Sequence, residues 1–395
     1  MRSRMNSIVS CSELHQWALL WLMKAEILKD RGARKCTPIV VWSLLLRAAA
    51  RMISIPAACR DLANAPSDQA VFDALEAGLP RTLPVLERRL NGALTTSWSP
   101  RLQRRRWQIA IDWHLIPYYG QALWSRNELY RYKRLKGTTH FHAYATACIV
   151  QYGQRYTLAL TWIRRHESMV TVMQRLLARL GEMAVKIRLL LLDRAFFNTP
   201  VMTLLQGERI PFLMPVAIGG RRPKKKNSRG AKKSLRWLKR QKAGWYQHTM
   251  KNRYAEATFN VCVAYRTYYH RTKRKRRQQK LLFAAWQVHG TPTEIRERYR
   301  KRFGIEASFR QLRQARIYTC TRNPHLRLVF VTVALLLRNL WVWIHATMLA
   351  EGRGPTMTLR LHLLPFKQLL DWIARAVLAI LHDGSMPCVD VDKLT

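Results

Sequence analysis

Three carboxylates stand out in a chain crowded with cations. Lysine and arginine total 69 against 23 aspartates and glutamates, a formal charge of +46 over 395 residues. In YRKRFGIEASFRQLRQAR, which begins at Tyr299, Glu306 sits among arginines; from Arg296 to Arg316 there are eight basic side chains and two acidic ones. A surface that only had to be positive has no use for that glutamate. Asp112 closes the apolar run IAID, and Asp193 closes VKIRLLLLD. Singly, a carboxylate at the end of a buried strand is ordinarily a helix cap or a loop residue. As a set of three, in a chain without a CxxC pair or zinc-type histidine spacing, they are hard oxygen donors that select Mg2+, with Mn2+ as its substitute. Two such ions about 4 Å apart activate a water or hydroxyl and steady the leaving oxygen of a phosphodiester. Asp112, Asp193 and Glu306 are therefore the candidate catalytic and metal-binding residues.

The elements that must position them can be read from periodicity. Thr291-Pro292-Thr293-Glu294 fits a capping box with proline at the first helical position, and the pattern predicts one helix from there to about Arg316. On such a helix Tyr299, Arg302, Glu306 and Arg313 share an arc of about 60°, beside an apolar stripe of Ile305, Phe309 and Leu312. That puts the polar group at the margin of a buried face, directed into a cleft. Gly304 falls on the opposite side, and the sequence gives no reason for it. WQIAIDWHLI, HAYATACIVQ and YTLALTWI read as strands, MVTVMQRLLARLGEM as a helix, and VKIRLLLLD and IPFLMPV as further strands. A meander followed by alternation implies a mixed sheet covered by helices, a mixed α/β fold.

Around this core, residues 1–100 read as a helical domain, with VVWSLLLRAAARM, SIPAACRDLA and PSDQAVFDALEAG as its clearest helices and Ser67 or Asp68 as an N-cap. The short pair around Asn-Ala-Pro fits either a helix-turn-helix DNA reader or a bundle used only for packing. Residues 217–290 interrupt the core with basic runs at 221 and 271 around two strands, EATFNVCVAYRTY and KLLFAAWQV. The core then comprises 101–216 and 291–350, with HLRLVFVTVALLLRNLWVWIHATML packed inside, and a helical segment occupies 351–395, where PFKQLLDWIARAVLAILHDG closes the fold with glycine at its end.

The net charge calls for a polyanion, nucleic acid first and an anionic membrane surface as the bland rival. The most apolar stretch, LVFVTVALLL, runs ten residues before Arg338 interrupts it, against the roughly 20 that a membrane span needs. The N-terminus lacks the long apolar region of a signal peptide. Seven scattered cysteines fit reduced thiols. The expected place is the cytoplasm, in association with the nucleoid, and not the membrane.

Taken in order, these blocks resemble the DDE transposases of prokaryotic insertion sequences, which have the ribonuclease-H-like, retroviral-integrase fold. They resemble in particular the group named for a tyrosine, arginine, glutamate and lysine motif. Here that motif reads Tyr299, Arg302, Glu306 and Arg313, with arginine in place of the lysine; a planar fork replaces a flexible ammonium. IDWHLIPYYG carries Asp112 and LLLLDRAFF carries Asp193. The resemblance covers roughly residues 105–345 and implies neighbouring first and fourth strands that bring Asp112 and Asp193 together, with Glu306 arriving from a helix packed on that sheet. It implies two Mg2+ ions, hydrolytic nicking at the element's ends, attack of the freed 3′-hydroxyl on target DNA without a covalent enzyme–DNA intermediate, and a homo-oligomer on the terminal inverted repeats. A non-catalytic DNA-binding derivative and a structure-specific nuclease are the alternatives.

Tyr299, Arg302, Arg310 and Arg313 are the expected DNA contacts from this helix. His114, two residues after Asp112, could polarise water or make a structural hydrogen bond. Tyr118, Tyr119 and Lys133 could touch DNA or shape their loop. Trp245 and Trp286 could stack on a displaced base or pack a small β-domain.

Overall fold

The computed structural model describes residues 8–32, 35–98, 100–150, 155–218, 235–270, 274–352, 359–383 and 388–390. Among these, nine strands form one sheet. In chain order they are β1 (Arg106–Pro117), β2 (Tyr130–Leu135), β3 (Thr138–Ile149), β4 (Thr157–Ile163), β5 (Lys186–Leu192), β6 (Phe212–Pro215), β7 (Gly244–Lys251), β8 (Glu256–His270) and β9 (Lys275–Trp286). The spatial order is β2-β3-β1-β5-β6-β9-β8-β7, with β4 also on β3. β1 runs parallel to β5 and β5 parallel to β6; the remaining pairs are antiparallel. This is the mixed sheet expected from the sequence. The first half of β1 is buried on both faces of the sheet, so its residues are mostly apolar and a carboxylate at its seventh position is correspondingly conspicuous.

Two strands carry no readable pattern. β2 (YRYKRL) exposes almost every side chain, and β7 (GWYQHTMK) buries none fully, so neither shows an apolar face. β9 pairs with β6 from Phe283↔Pro215 to Trp286↔Phe212, so the strands of 244–286 continue the core sheet.

Five helices of six residues or more, followed by a single turn at Pro100–Gln103, precede the sheet: α1 (Cys11–Lys24), α2 (Pro38–Arg51), α3 (Ile55–Arg60), α4 (Asp68–Gly78) and α5 (Leu83–Thr95). Each of the first four begins with a hydroxyl cap, and Ser67, not Asp68, caps α4. Next come α6 (Met169–Glu182), α7 (Thr199–Gly207), α8 (Pro292–Arg300), α9 (Phe303–Leu312), α10 (Pro324–Ile344) and α11 (Phe366–Leu378). α11 packs on α1 and α2, where Arg47 Nη1 donates to the Ala374 carbonyl at 3.0 Å. The turn of helix that extends α10 gives a segment, Pro324–Leu349, long and apolar enough to cross a membrane, but 94% of its apolar window is buried inside the fold.

The free edge of β4 is closed by side chains. Glu87 Oε1 accepts from Trp162 N (2.8 Å) and Thr161 Oγ1 (2.9 Å). Asn91 brackets Leu160, accepting from its N–H at 2.7 Å and donating to its carbonyl at 3.0 Å. From α10, Asn339 does the same at Thr157 (2.9 and 2.8 Å) and reaches the Leu94 carbonyl at 3.0 Å. Helix side chains thus take the place of a neighbouring strand, satisfying backbone groups that burial would otherwise strand.

The single helix expected over 291–316 is broken. α8 ends at Arg300, Lys301 and Arg302 form a turn, and α9 begins at Phe303. Arg302 N bonds to Tyr299 O (2.9 Å) and Gly304 N to Lys301 O (3.0 Å), the tighter i→i−3 pattern. An angular reading that treats Tyr299 to Arg313 as one helix therefore fails at Lys301, and Arg313 lies beyond α9 in a 3-10 turn.

Asn339→Ala removes three buried hydrogen bonds and leaves their backbone partners unpaired. It should cost about 3 kcal/mol or more of stability, read as a lowered urea midpoint; a midpoint within error of the parent would show that the edge closure contributes nothing.

Candidate active site

Parallel pairing of β1 and β5 decides where the two aspartates fall. Their register ends at Ile111↔Leu192, so Asp112 and Asp193 are the next residues on neighbouring strands. Asp112 is 7% exposed. Its Oδ1 accepts from Trp113 N at 2.9 Å, and its Oδ2 pairs with Arg302 Nη1 at 2.9 Å. The other nitrogen of the same fork, Nη2, lies 3.7 Å from Asp193 Oδ1. One guanidinium therefore bridges both carboxylates.

The tyrosine and arginine of the motif form one unit. The Tyr299 hydroxyl donates to the Leu192 carbonyl at 3.1 Å, fixing α8 to the end of β5. Its ring packs on Phe283 with centroids 5.0 Å apart. The Arg302 guanidinium stands over the rings of Tyr299 (5.6 Å) and Phe303 (5.7 Å). The turn between α8 and α9 is what lets Arg302 reach back into the site.

Charge balance here is incomplete. Burial pushes the Asp112 carboxyl up from 3.8 to about 6; the Arg302 guanidinium opposes this and Asp193 adds to it. Among the described residues, the buried Asp112 and the partly exposed Asp193 share the Arg302 charge, and two such oxygen donors fit a divalent, oxygen-seeking cation by donor type and by charge. Among the described residues no three His, Cys, Asp or Glu side chains stand close enough to share an ion. α9, which carries Glu306, lies against β1, but the side chain of Glu306 falls outside the described residues.

A cleft of about 1280 Å³ opens at the C-terminal ends of β5 and β6 and beside Trp113 of β1. Asp193 and Arg302 are in its wall, and Arg194, Lys239, Arg266, Lys280, Arg296 and Arg300 line it further, against Glu297 as the other acid. Trp113 and Tyr132 form an aromatic side of the cleft, with ring centroids 5.7 Å apart, edge to face. Sequence reasoning missed this pair and the arginines of α8; the alternation of aromatic and basic residues in YRYKRL was the available signal.

The other expected residues divide. Burial holds the His114 imidazole down at about 4, with Arg313, Arg316 and Lys136 lowering it further, so the ring is neutral at pH 7. Arg310, Arg313 and Lys133 are exposed. Tyr118 is buried beneath Arg327, with 4.8 Å from guanidinium to ring, whereas Tyr119 is 72% exposed. Trp245 gives its indole N–H to the Gly290 carbonyl at 2.8 Å, and Trp286 stacks on Phe212; neither lines the cleft. The basic runs at 221–226 and 271–273 lie outside the described residues.

A family model for the transposase DDE domain matches residues 103–344, more than half of the chain and the whole of this site. No curated protein sequence matches. Among solved structures, the chain is similar in fold to a piggyBac transposase in a synaptic complex with hairpin DNA. The TM-score is 0.51 at 12% identity, over 96% of this chain and 82% of that one.

The raised pKa of Asp112 has a sign that can be measured in the metal-free protein. The folded chain keeps a proton that the unfolded chain releases between pH 3.8 and about 6. Stability therefore falls as pH rises through that window. The Asp112→Asn protein should lose this part of the slope in urea unfolding, and an identical slope in the two proteins would contradict the assignment.

Proposed function

The chain belongs to the transposase DDE domain family, and from that premise we propose that it nicks the ends of its own insertion sequence and joins the freed 3′-hydroxyls to target DNA. The observation that carries this reading is the bridge of Arg302 across Asp112 and Asp193 at the rim of a basic cleft. A structural ion pair would have no reason to open onto a cleft lined by so many arginines and lysines.

Asp112 and Asp193, with Glu306 brought by α9, are the residues that would hold divalent metal, Mg2+ foremost and two ions in number. Bound there, the metal supplies Lewis-acid activation of water or a 3′-hydroxyl and neutralises charge on the scissile phosphate. The protein's own side chains do the rest. Tyr299 holds the end of β5 and orients Arg302. Arg302 keeps the carboxylates together in the resting chain, and its planar fork suits a phosphate once they are otherwise neutralised. Arg194, Arg266, Lys280, Arg296 and Arg300 grip the backbone of the DNA along the cleft, with Arg310, Arg313 and Lys133 extending the positive surface. His114, held neutral, donates or accepts a hydrogen bond beside Asp112 without adding repulsion for a cation. The helices of 1–100 read the terminal repeat, the basic segment 217–290 holds flanking DNA, and two ends held at once require an oligomer. The piggyBac relative is captured in a synaptic complex with hairpin DNA, which favours a partner of that class here.

The test uses a duplex carrying the terminal repeat that flanks the gene, a target plasmid, and Mg2+. The expected result is nicks with 3′-hydroxyl ends and joined products. Asp112→Ala, Asp193→Ala and Glu306→Ala should each reduce both to background while DNA binding persists, and binding should weaken steeply with added salt. Nicking by Asp193→Ala at the parental rate would refute the assignment, and nicking without joining would reduce the chain to a nuclease.

A further inference from the structure

Arg338 lies in the middle of α10 with no exposed surface, and among the described residues no carboxylate pairs with it. A buried guanidinium without an acidic partner is expensive, and an apolar side chain there would fold at least as well. Its contacts show where it acts. Nε donates to Gln311 Oε1 at 3.1 Å, and Nη1 donates to the backbone carbonyl of Arg155. The side chain of Arg155 in turn lies against α9 at Gly304: a Cβ built there would stand 3.1 Å from Arg155 Nε and 3.5 Å from its Cζ. Gly304 and Gln311 are seven residues apart, two helical turns, and so share one face of α9. Position 306 lies about 160° around the axis from position 304.

From this we infer that Arg338, acting through Gln311 and Arg155, is a positioning residue: it fixes the roll and depth of α9 from behind and thereby places Glu306 against Asp112 and Asp193. The inference rests on the catalytic reading of those carboxylates. It also gives Gly304 a reason, since the back of the helix must be bare for Arg155 to lie flat on it. The predicted effect falls on the rate of strand cleavage and not on DNA affinity, because neither Arg338 nor Arg155 lines the cleft.

Gly304→Ala is the sharpest probe. Alanine is the better helix former, and whether Arg155 gives way sets the net stability; a purely structural role predicts unchanged single-turnover chemistry in the folded protein. Positioning predicts that the added methyl, pressed against Arg155, slows single-turnover nicking by about 10-fold, since small misplacements of reacting groups are costly. End-DNA affinity should stay near that of the parent. The double variant Gly304→Ala, Arg155→Ala, which keeps the Arg155 carbonyl for Arg338, should recover the rate of Arg155→Ala alone. No slowing in Gly304→Ala, or slowing that Arg155→Ala fails to relieve, overturns the proposal. Hydrogen exchange separates this from failure of the functional reading. In Arg338→Met, amides of 303–312 should exchange faster while those of α11 do not, whether or not the parent cuts DNA; unchanged protection of α9 rejects the anchor.

Discussion

Two carboxylates of like charge, one of them buried, stand side by side on adjacent parallel strands, Asp112 within β1 and Asp193 just past the end of β5, and a cation is shared between them. In the resting chain that cation is Arg302. Its charge is single, and the Asp112 carboxyl consequently stays well above its ordinary range, at about 6. Desolvation raises the cost of the ionised form and the second aspartate adds to it. A site in this condition is poised to accept more positive charge. The tight turn at Lys301 and Arg302 serves the same end, since an uninterrupted helix would carry the guanidinium away from the strand ends.

Everything around the pair works to keep those strand ends in place. β1 is held on both edges, and Tyr299 ties α8 to the last carbonyl of β5. On the far side, Glu87, Asn91 and Asn339 close the edge of β4, so the N-terminal helices and α10 are bonded directly to the sheet. α10 therefore has two tasks. It fills the core with apolar side chains, and it carries Asn339 and Arg338 as adjacent residues facing β4 and α9. Much of the remaining positive charge is exposed or lines the cleft, where a polyanion is the natural complement.

Some of this was legible in the sequence. Asp112 and Asp193 interrupt apolar runs, which singled them out as a set although each alone fits a cap or loop residue. The strand meander and the alternation after it were visible in period and composition, and they gave the mixed sheet. The break between α8 and α9 was not visible, because Arg, Lys and Phe continue a helix without local penalty and the turn answers to Arg302's distant partners. β2 and β7 escaped because neither has a buried face to create a pattern. Trp245 and Trp286 were singled out by residue type, yet their partners Gly290 and Phe212 engage them away from the cleft. Arg338 read as the residue that ends an apolar stretch. Its burial depends on a carbonyl at Arg155 and an amide at Gln311, contacts that no local pattern reports.

The central claim is that Asp112 and Asp193 hold divalent metal together. The most direct measurement is anomalous diffraction at the manganese edge from crystals of the full chain bound to terminal-repeat DNA lacking the attacking 3′-hydroxyl. The account predicts anomalous density touching both aspartates, with the Arg302 fork withdrawn from Asp112. Density confined to other positions, with the Arg302–Asp112 pair intact in the DNA complex, would contradict it.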